Sequence, residues 1–240
     1  PNDIRNPDRI TMSEISFLEV ETAPKPSAAV IWLHGLGADG SDFEPIVPEL
    51  GLASAPALRF VFPNAPLQPV TCNGGYVMPA WYDIIALGGE SREIDEAGLL
   101  AARAIVRALI AREVERGIPS ERIFLAGFSQ GGAVAYLSAL THPEPLAGVI
   151  ALSTYIPSAA LITRELSAAN RDIPMFVAHG TQDDVVPPAM GQQALELLRG
   201  FGLAPQWHTY PMPHSVCPQE IDDIGAWLRM RLSALPELPA

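Results

Sequence analysis

Lysine is almost missing from this chain: Lys25 is the only one among 240 residues, and the other 14 basic side chains are arginine. That bias reads as a habit of the source genome, not as a binding signal. Acidic residues outnumber basic ones, 27 to 15, and the net charge of −12 disfavours nucleic acid or an anionic membrane surface as a partner. Cysteine is equally scarce. Cys72 and Cys217 allow at most one bridge, a chain of this size needs none, and reduced thiols are expected. No uncharged apolar run approaches the ~20 residues of a membrane span. No apolar signal-peptide core precedes the first strand, and together these absences point to the cytoplasm. Repeats and low-complexity tracts are absent. So are H-x-x-x-H and C-x-x-C spacings, which leaves a metal site built from Asp183, Asp184 and a histidine without support; no metal or cofactor is expected.

Present instead is enough apolar material, 48% of residues, to fill the core of one α/β domain. Residues 1–11 are polar and read as a tag remnant or disordered arm. The domain is expected over 12–235, followed by a frayed tail at 236–240. Strand candidates run at 28–33, 58–62, 122–126, 148–152, 174–178 and 206–210; most are short, β-branched or aromatic and apolar on both faces, as in a covered parallel sheet, whereas 15–21 alternates like a half-exposed edge strand. Helical spacing runs through 95–116 (Leu99, Leu100, Ala104, Leu109, Val114) and stops at Gly117 before Pro119. A second helix is expected at 188–201. In a third, at 219–235, Ile221, Ile224, Trp227, Leu228, Leu232 and Leu235 share one face. Strands alternating with helices predict an open, mostly parallel, doubly wound sheet with helices on both faces.

The strand at 122–126 runs straight into Gly127-Phe128-Ser129-Gln130-Gly131-Gly132. A buried strand, a sharp turn carrying serine and an entering helix form the setting of the G-x-S-x-G nucleophile elbow. Gly127 and Gly131 leave room for the helix to pass close to the strand. Ser129 is therefore the candidate nucleophile.

Gly35-Leu36-Gly37-Ala38-Asp39-Gly40 also matches the dinucleotide pattern G-x-G-x-x-G. Two features oppose that reading. The next strand ends in Pro63-Asn64, where an acidic residue would meet the ribose, and the required helix would contain Pro45 and Pro48. An oxyanion loop fits better, with His34-Gly35-Leu36-Gly37 turning the Leu36 backbone N–H toward the nucleophile.

In an elbow-type hydrolase the partners follow in the order serine, acid, histidine. The carboxylates beyond the strand at 174–178 are Asp183 and Asp184, either of which could orient a histidine. Only His208 and His214 lie further on. His208 falls inside a candidate strand, while His214 sits in a loop between the last strand and the last helix, where ligands meet an open α/β sheet. Chain order excludes His34, His142 and His179; His34 and His179 are better read as holding their loops by hydrogen bonds.

Six motifs in order resemble the phospholipase/carboxylesterase family, which includes bacterial carboxylesterases and acyl-protein thioesterases. They are His34 to Gly37, Pro63-Asn64-Ala65-Pro66, Gly75 to Ile84, Gly127 to Gly132, Leu152 to Pro157, and His179 to Asp183. The resemblance implies a single-domain α/β-hydrolase without a cap domain, needing no cofactor. It places the acid on Asp183, with Asp184 as a neighbour, the histidine on His214, and the oxyanion donors on the amides of Leu36 and Gln130. It also suggests a homodimer. The chain departs from the family pattern at Pro213, where glycine is usual, and at Thr181, where the thioesterase branch has aspartate. Thr154-Tyr155 looks more like the bacterial esterase branch.

The expected activity is a serine carboxylesterase acting on small, short-to-medium acyl esters through an acyl-enzyme. The alternatives are an acyl-protein thioesterase or lysophospholipase and, in another class, a non-catalytic hydrolase fold used for binding. Met78, Trp81 and Val186 are candidates for an apolar wall along the acyl chain, with ordinary core packing as their other reading.

Overall fold

The computed structural model describes residues 15–88 and 91–235, so the expectations for 1–11 and 236–240 lie outside the described residues. Seven strands form the central sheet in the order β1-β3-β2-β8-β9-β10-β11: β1 (Phe17–Glu21), β2 (Ala28–Leu33), β3 (Leu58–Pro63), β8 (Ile123–Phe128), β9 (Gly148–Leu152), β10 (Met175–Gly180) and β11 (Gln206–Tyr210). All neighbours are parallel except β1, which runs antiparallel along β3 at the edge. The side-chain period of two divides β2 between two cores. Ala29, Ile31 and Leu33 face the helices α1 (Glu96–Glu115), α2 (Gln130–Leu140), α3 (Ala159–Glu165) and α4 (Pro188–Gly200), whereas Ala28, Val30 and Trp32 face α5 (Pro218–Ala234) and the short 3-10 helix Glu44–Leu50. Helices thus cover both faces, and all 11 residues of α2 are buried.

Between β3 and α1 the chain makes two antiparallel hairpins, β4 (Leu67–Val70) with β5 (Tyr76–Pro79), and β6 (Ile84–Gly88) with β7 (Ser91–Ile94). Their strands are only four or five residues long. Among the described residues, no helix is long and apolar enough to cross a membrane. Nor is there a group of three or more His, Cys, Asp and Glu side chains placed to hold a metal.

Helical spacing puts Val114 on the buried face of α1, but Val114 is 40% exposed while its neighbour Glu113 is fully buried. The carboxylate takes the inward position because three guanidinium groups meet it there: Arg59 of β3 at 2.6 Å, Arg112 at 2.7 Å and Arg116 at 3.0 Å. A buried charge is tolerable only when so paired.

Glu220, in the first turn of α5, has no such partner. Its side chain is fully buried, and neither carboxyl oxygen has a hydrogen-bonding partner among the described residues. Burial pushes its pKa up to about 8, and the charge on Asp223 adds to this, against a weaker opposing pull from the Cys217 backbone. The folded protein therefore keeps a proton there that the unfolded chain releases near its ordinary pKa of 4.5, so stability falls as the pH rises from 4.5 to about 8. Glu220→Gln is expected to remove that loss. At pH 7.5 the gain is on the order of 2–4 kcal/mol, or about 5–15 °C in Tm, and near pH 4 it vanishes. Equal Tm values for variant and wild type at pH 7.5 would contradict this account.

Candidate active site

Ser129 follows β8 directly and carries φ 54° and ψ −120°, a conformation that costs a non-glycine residue backbone energy. Sheet and helix hold it there. Its N–H donates to Leu152 O at the end of β9 (2.9 Å), and its carbonyl accepts from Thr154 Oγ1 (2.6 Å). Close packing of α2 against β2 completes the turn: a Cβ on Gly131 would run into the carbonyls of Leu33 and His34.

His34 lies just past β2 and is buried. Its Nε2 accepts the Ala65 N–H (3.0 Å), which leaves Nδ1 as the protonated nitrogen, donating to Gly35 O (2.7 Å). The peptide joining Gly35 to Leu36 is planar and trans, so fixing its carbonyl toward His34 turns the Leu36 N–H to the opposite side. Burial lowers the His34 pKa, against the opposing effect of the Gly35 bond, which keeps the ring in this neutral form. The Gly37 N–H donates to Pro79 O and Trp81 Nε1 donates to His34 O, tying the loop to the hairpin segment. Gln130 braces the same segment: its side chain accepts from Trp81 N–H and donates to Tyr82 O, both at 2.8 Å. The Gln130 backbone N–H is the first of α2, where helices leave amides unpaired. Among the described residues neither it nor the Leu36 N–H has a protein acceptor.

The acid and the histidine come from loops after β10 and β11. The Thr181 and Gln182 amides donate to Tyr210 O and Met212 O, stitching the two loops together. Gly180 permits their close approach, since a Cβ there would strike the carbonyls of Met212 and Pro213. Asp183 is 4% exposed. Its Oδ1 accepts from the Val185 and Val186 amides (2.9 and 2.8 Å), and its Oδ2 accepts from His214 Nδ1 (2.7 Å). Burial alone would raise this carboxyl, but the His214 and amide bonds outweigh burial and hold it below the usual carboxylate range. The His214 ring leans on Phe128, with centroids 4.6 Å apart. Asp184 is exposed on the same loop. His179 donates from Nε2 to Val186 O (2.8 Å), and His208 stacks on Phe176 (4.4 Å). Neither of these two histidines lines the pocket beside Ser129.

That pocket has a volume of 330 Å³ and brings Leu36, Ser129, Gln130, Val186 and His214 to one surface, near the lower end of the usual range for small-molecule sites, about 300–1,000 Å³. Two of the three acyl-wall candidates fall outside its lining. Trp81 is buried behind the His34 loop, which its indole N–H supports, and Met78 lies in β5 with its sulfur against Asn73 Nδ2 (3.6 Å). The wall comes instead from Ile84, Leu87 and Arg92 of the second hairpin, from Cys72, and from Val185 beside Val186. Tyr155 closes the floor, its hydroxyl paired with that of buried Tyr82 at 2.7 Å.

A parallel sheet with a serine on a strand-to-helix turn, and a bonded carboxylate–histidine pair on two later strand ends, is the architecture of an α/β-hydrolase. Residues 17–232 match the phospholipase/carboxylesterase family. The acyl-protein thioesterase 1 of Mycosarcoma maydis is 43% identical over 224 residues, covering 88% of this chain and 93% of that one. The acyl-protein thioesterase 1 of Cryptococcus neoformans is 40% identical over 232 residues, with coverage of 90% and 97%. Among solved structures, SOBER1 of Arabidopsis thaliana superposes with a TM-score of 0.80 at 35% identity, covering 85% of this chain and 99% of its own. The chain belongs to the phospholipase/carboxylesterase family of α/β-hydrolases and is a carboxylic-ester hydrolase.

Proposed function

We propose that the protein hydrolyses acyl thioesters, with oxygen esters as secondary substrates, through an acyl-enzyme on Ser129. His214 takes the Ser129 proton as the hydroxyl oxygen attacks the acyl carbonyl carbon, then gives it to the departing thiol or alcohol. A water oxygen then attacks the acyl carbon as His214 accepts its proton, and His214 returns that proton to Ser129 Oγ as the acyl–oxygen bond breaks and the acid leaves. Asp183 holds Nδ1–H of His214, so that Nε2 is the basic nitrogen, and stabilises the imidazolium. The Leu36 and Gln130 amides receive the negative charge that develops on the carbonyl oxygen; in such sites one donor is worth about 10²–10³ in rate. His34 acts on this step through the Leu36 peptide it orients.

One observation supports an acyl substrate with a bulky leaving group. The pocket rim presents apolar side chains to solvent, with Leu87 58% and Val185 54% exposed, so an acyl chain can lie inside while a large leaving group stays outside. The thioesterase names of relatives 40–43% identical favour this reading over the small-ester carboxylesterase. The test compares matched S-acyl and O-acyl peptides bearing the same octanoyl chain. Thioester hydrolysis with the higher kcat/KM is expected. Oxyester hydrolysis that is faster at equal chain length would return the assignment to carboxylesterase.

A further inference from the structure

A second, smaller pocket of 170 Å³ lies next to the one beside Ser129, lined by Ile156, Pro157, Met190, Gln193, Ala194 and Leu197 together with Arg92 and Tyr155. Arg92 and Tyr155 line both pockets. Arg92 reaches from β7 to the loop that carries Asp183, donating from one terminal nitrogen to Val185 O (2.5 Å), while its guanidinium carbon lies 5.8 Å from the Tyr155 ring centroid. Tyr155 is itself fixed by the Tyr82 hydroxyl bond. A bonded cation held across an aromatic ring thus stands between two cavities whose other walls are largely apolar.

We propose that Arg92 is the partition that ends the acyl site, setting the chain length the enzyme accepts, and that the cavity between residues 155–157 and α4 is a blocked extension of that site. This rests on the acyl-hydrolase reading above. An alkyl chain reaching the partition meets a guanidinium that cannot be desolvated cheaply, since its hydrogen bond to Val185 O would have to be broken. Shortening Arg92 removes the obstacle and joins the cavities, so each further methylene that enters gains by its burial. The exposed edge of the extension is Leu197, 38% exposed on α4, where a larger side chain can fill the cavity from the surface.

The experiment measures two quantities on wild type, Arg92→Ala and the double variant Arg92→Ala/Leu197→Trp. The first is kcat/KM for p-nitrophenyl esters from butanoate to dodecanoate. The second is Kd for neutral n-alkyl methyl ketones of matching length, a readout that needs no nucleophile and no carboxylate partner. In Arg92→Ala the dodecyl-to-butyl ratio is expected to rise about tenfold in both series, the gain from roughly two more buried methylenes. The tryptophan is expected to cancel that rise. A ratio unchanged within about twofold in both series overturns the partition, and so does a rise that Leu197→Trp leaves intact. If the ketone series shifts while none of the esters is hydrolysed, the partition stands and the acyl-hydrolase reading fails.

Discussion

Ser129→Ala is expected to lower kcat for ester and thioester hydrolysis by about 10⁴–10⁶-fold while leaving the protein folded. In the proposed mechanism the loss is large because the hydroxyl oxygen is the atom that bonds to the acyl carbon, and no neighbouring group lines the pocket in the same elbow setting. Cys72 also lines the pocket, but burial, with the Asp83 charge adding to it, pushes its thiol pKa up, so the thiolate needed for attack is disfavoured. The fold is expected to survive because the Ser129 bonds that shape the turn are made by its backbone, to Leu152 and Thr154, and not by its hydroxyl. Activity assayed beside the circular dichroism melt of each protein checks both halves. A variant that melts as wild type and keeps more than a hundredth of its activity would remove Ser129 from the chemistry.

The second large effect separates two adjacent carboxylates. Asp183→Asn is expected to cost about 10⁴-fold in kcat, because an amide facing His214 Nδ1 favours the wrong imidazole tautomer and cannot stabilise the imidazolium. Asp184→Asn is expected to change kcat by no more than about twofold, since a charge in an exposed loop is screened by solvent. The contrast follows from one loop conformation. The Val185 and Val186 amides fold back onto Asp183 Oδ1 and leave Oδ2 for His214, while Asp184 faces solvent. Parallel kcat measurements on the two variants test it, and equal losses would show the acid to be misassigned.

The central sheet was legible because most of its parallel strands are short continuous apolar runs, separated by helical spacing; the edge strand β11, Gln206-Trp207-His208-Thr209-Tyr210, is the exception. The placement of Ser129 on the strand-to-helix turn and of His214 in the loop after the last strand could be read from chain order and the elbow pattern alone. The choice of Asp183 over Asp184 could not, since residue order says nothing about which side chain a turn folds inward; only the family resemblance separated them. The two hairpins were missed, and with them the part of the pocket wall made by Ile84, Leu87 and Arg92. Pro69 and Pro79 disguise β4 and β5 as loop, although Asn73-Gly74 between them is a strong hairpin signal. The apolar run ending at Gly88, followed by Gly89 and Arg92-Glu93-Ile94, carried the matching signal for β6 and β7. Trp81 shows a different limit. It was a candidate for the acyl wall, yet its indole N–H serves the His34 carbonyl, a contact between residues 47 positions apart that no local pattern encodes. Glu113 and Val114 show the same limit in α1, where three arginines reverse what helical spacing alone would choose.

The most direct test of an acyl-enzyme on Ser129 is titration of the folded protein with a fluorophosphonate, read by intact mass and peptide mapping. One phosphonyl group per chain is expected, on the peptide containing Ser129, with simultaneous loss of thioesterase activity and no labelling of Ser129→Ala. Folded wild-type protein that stays unlabelled, or that is labelled at another residue, would contradict the account.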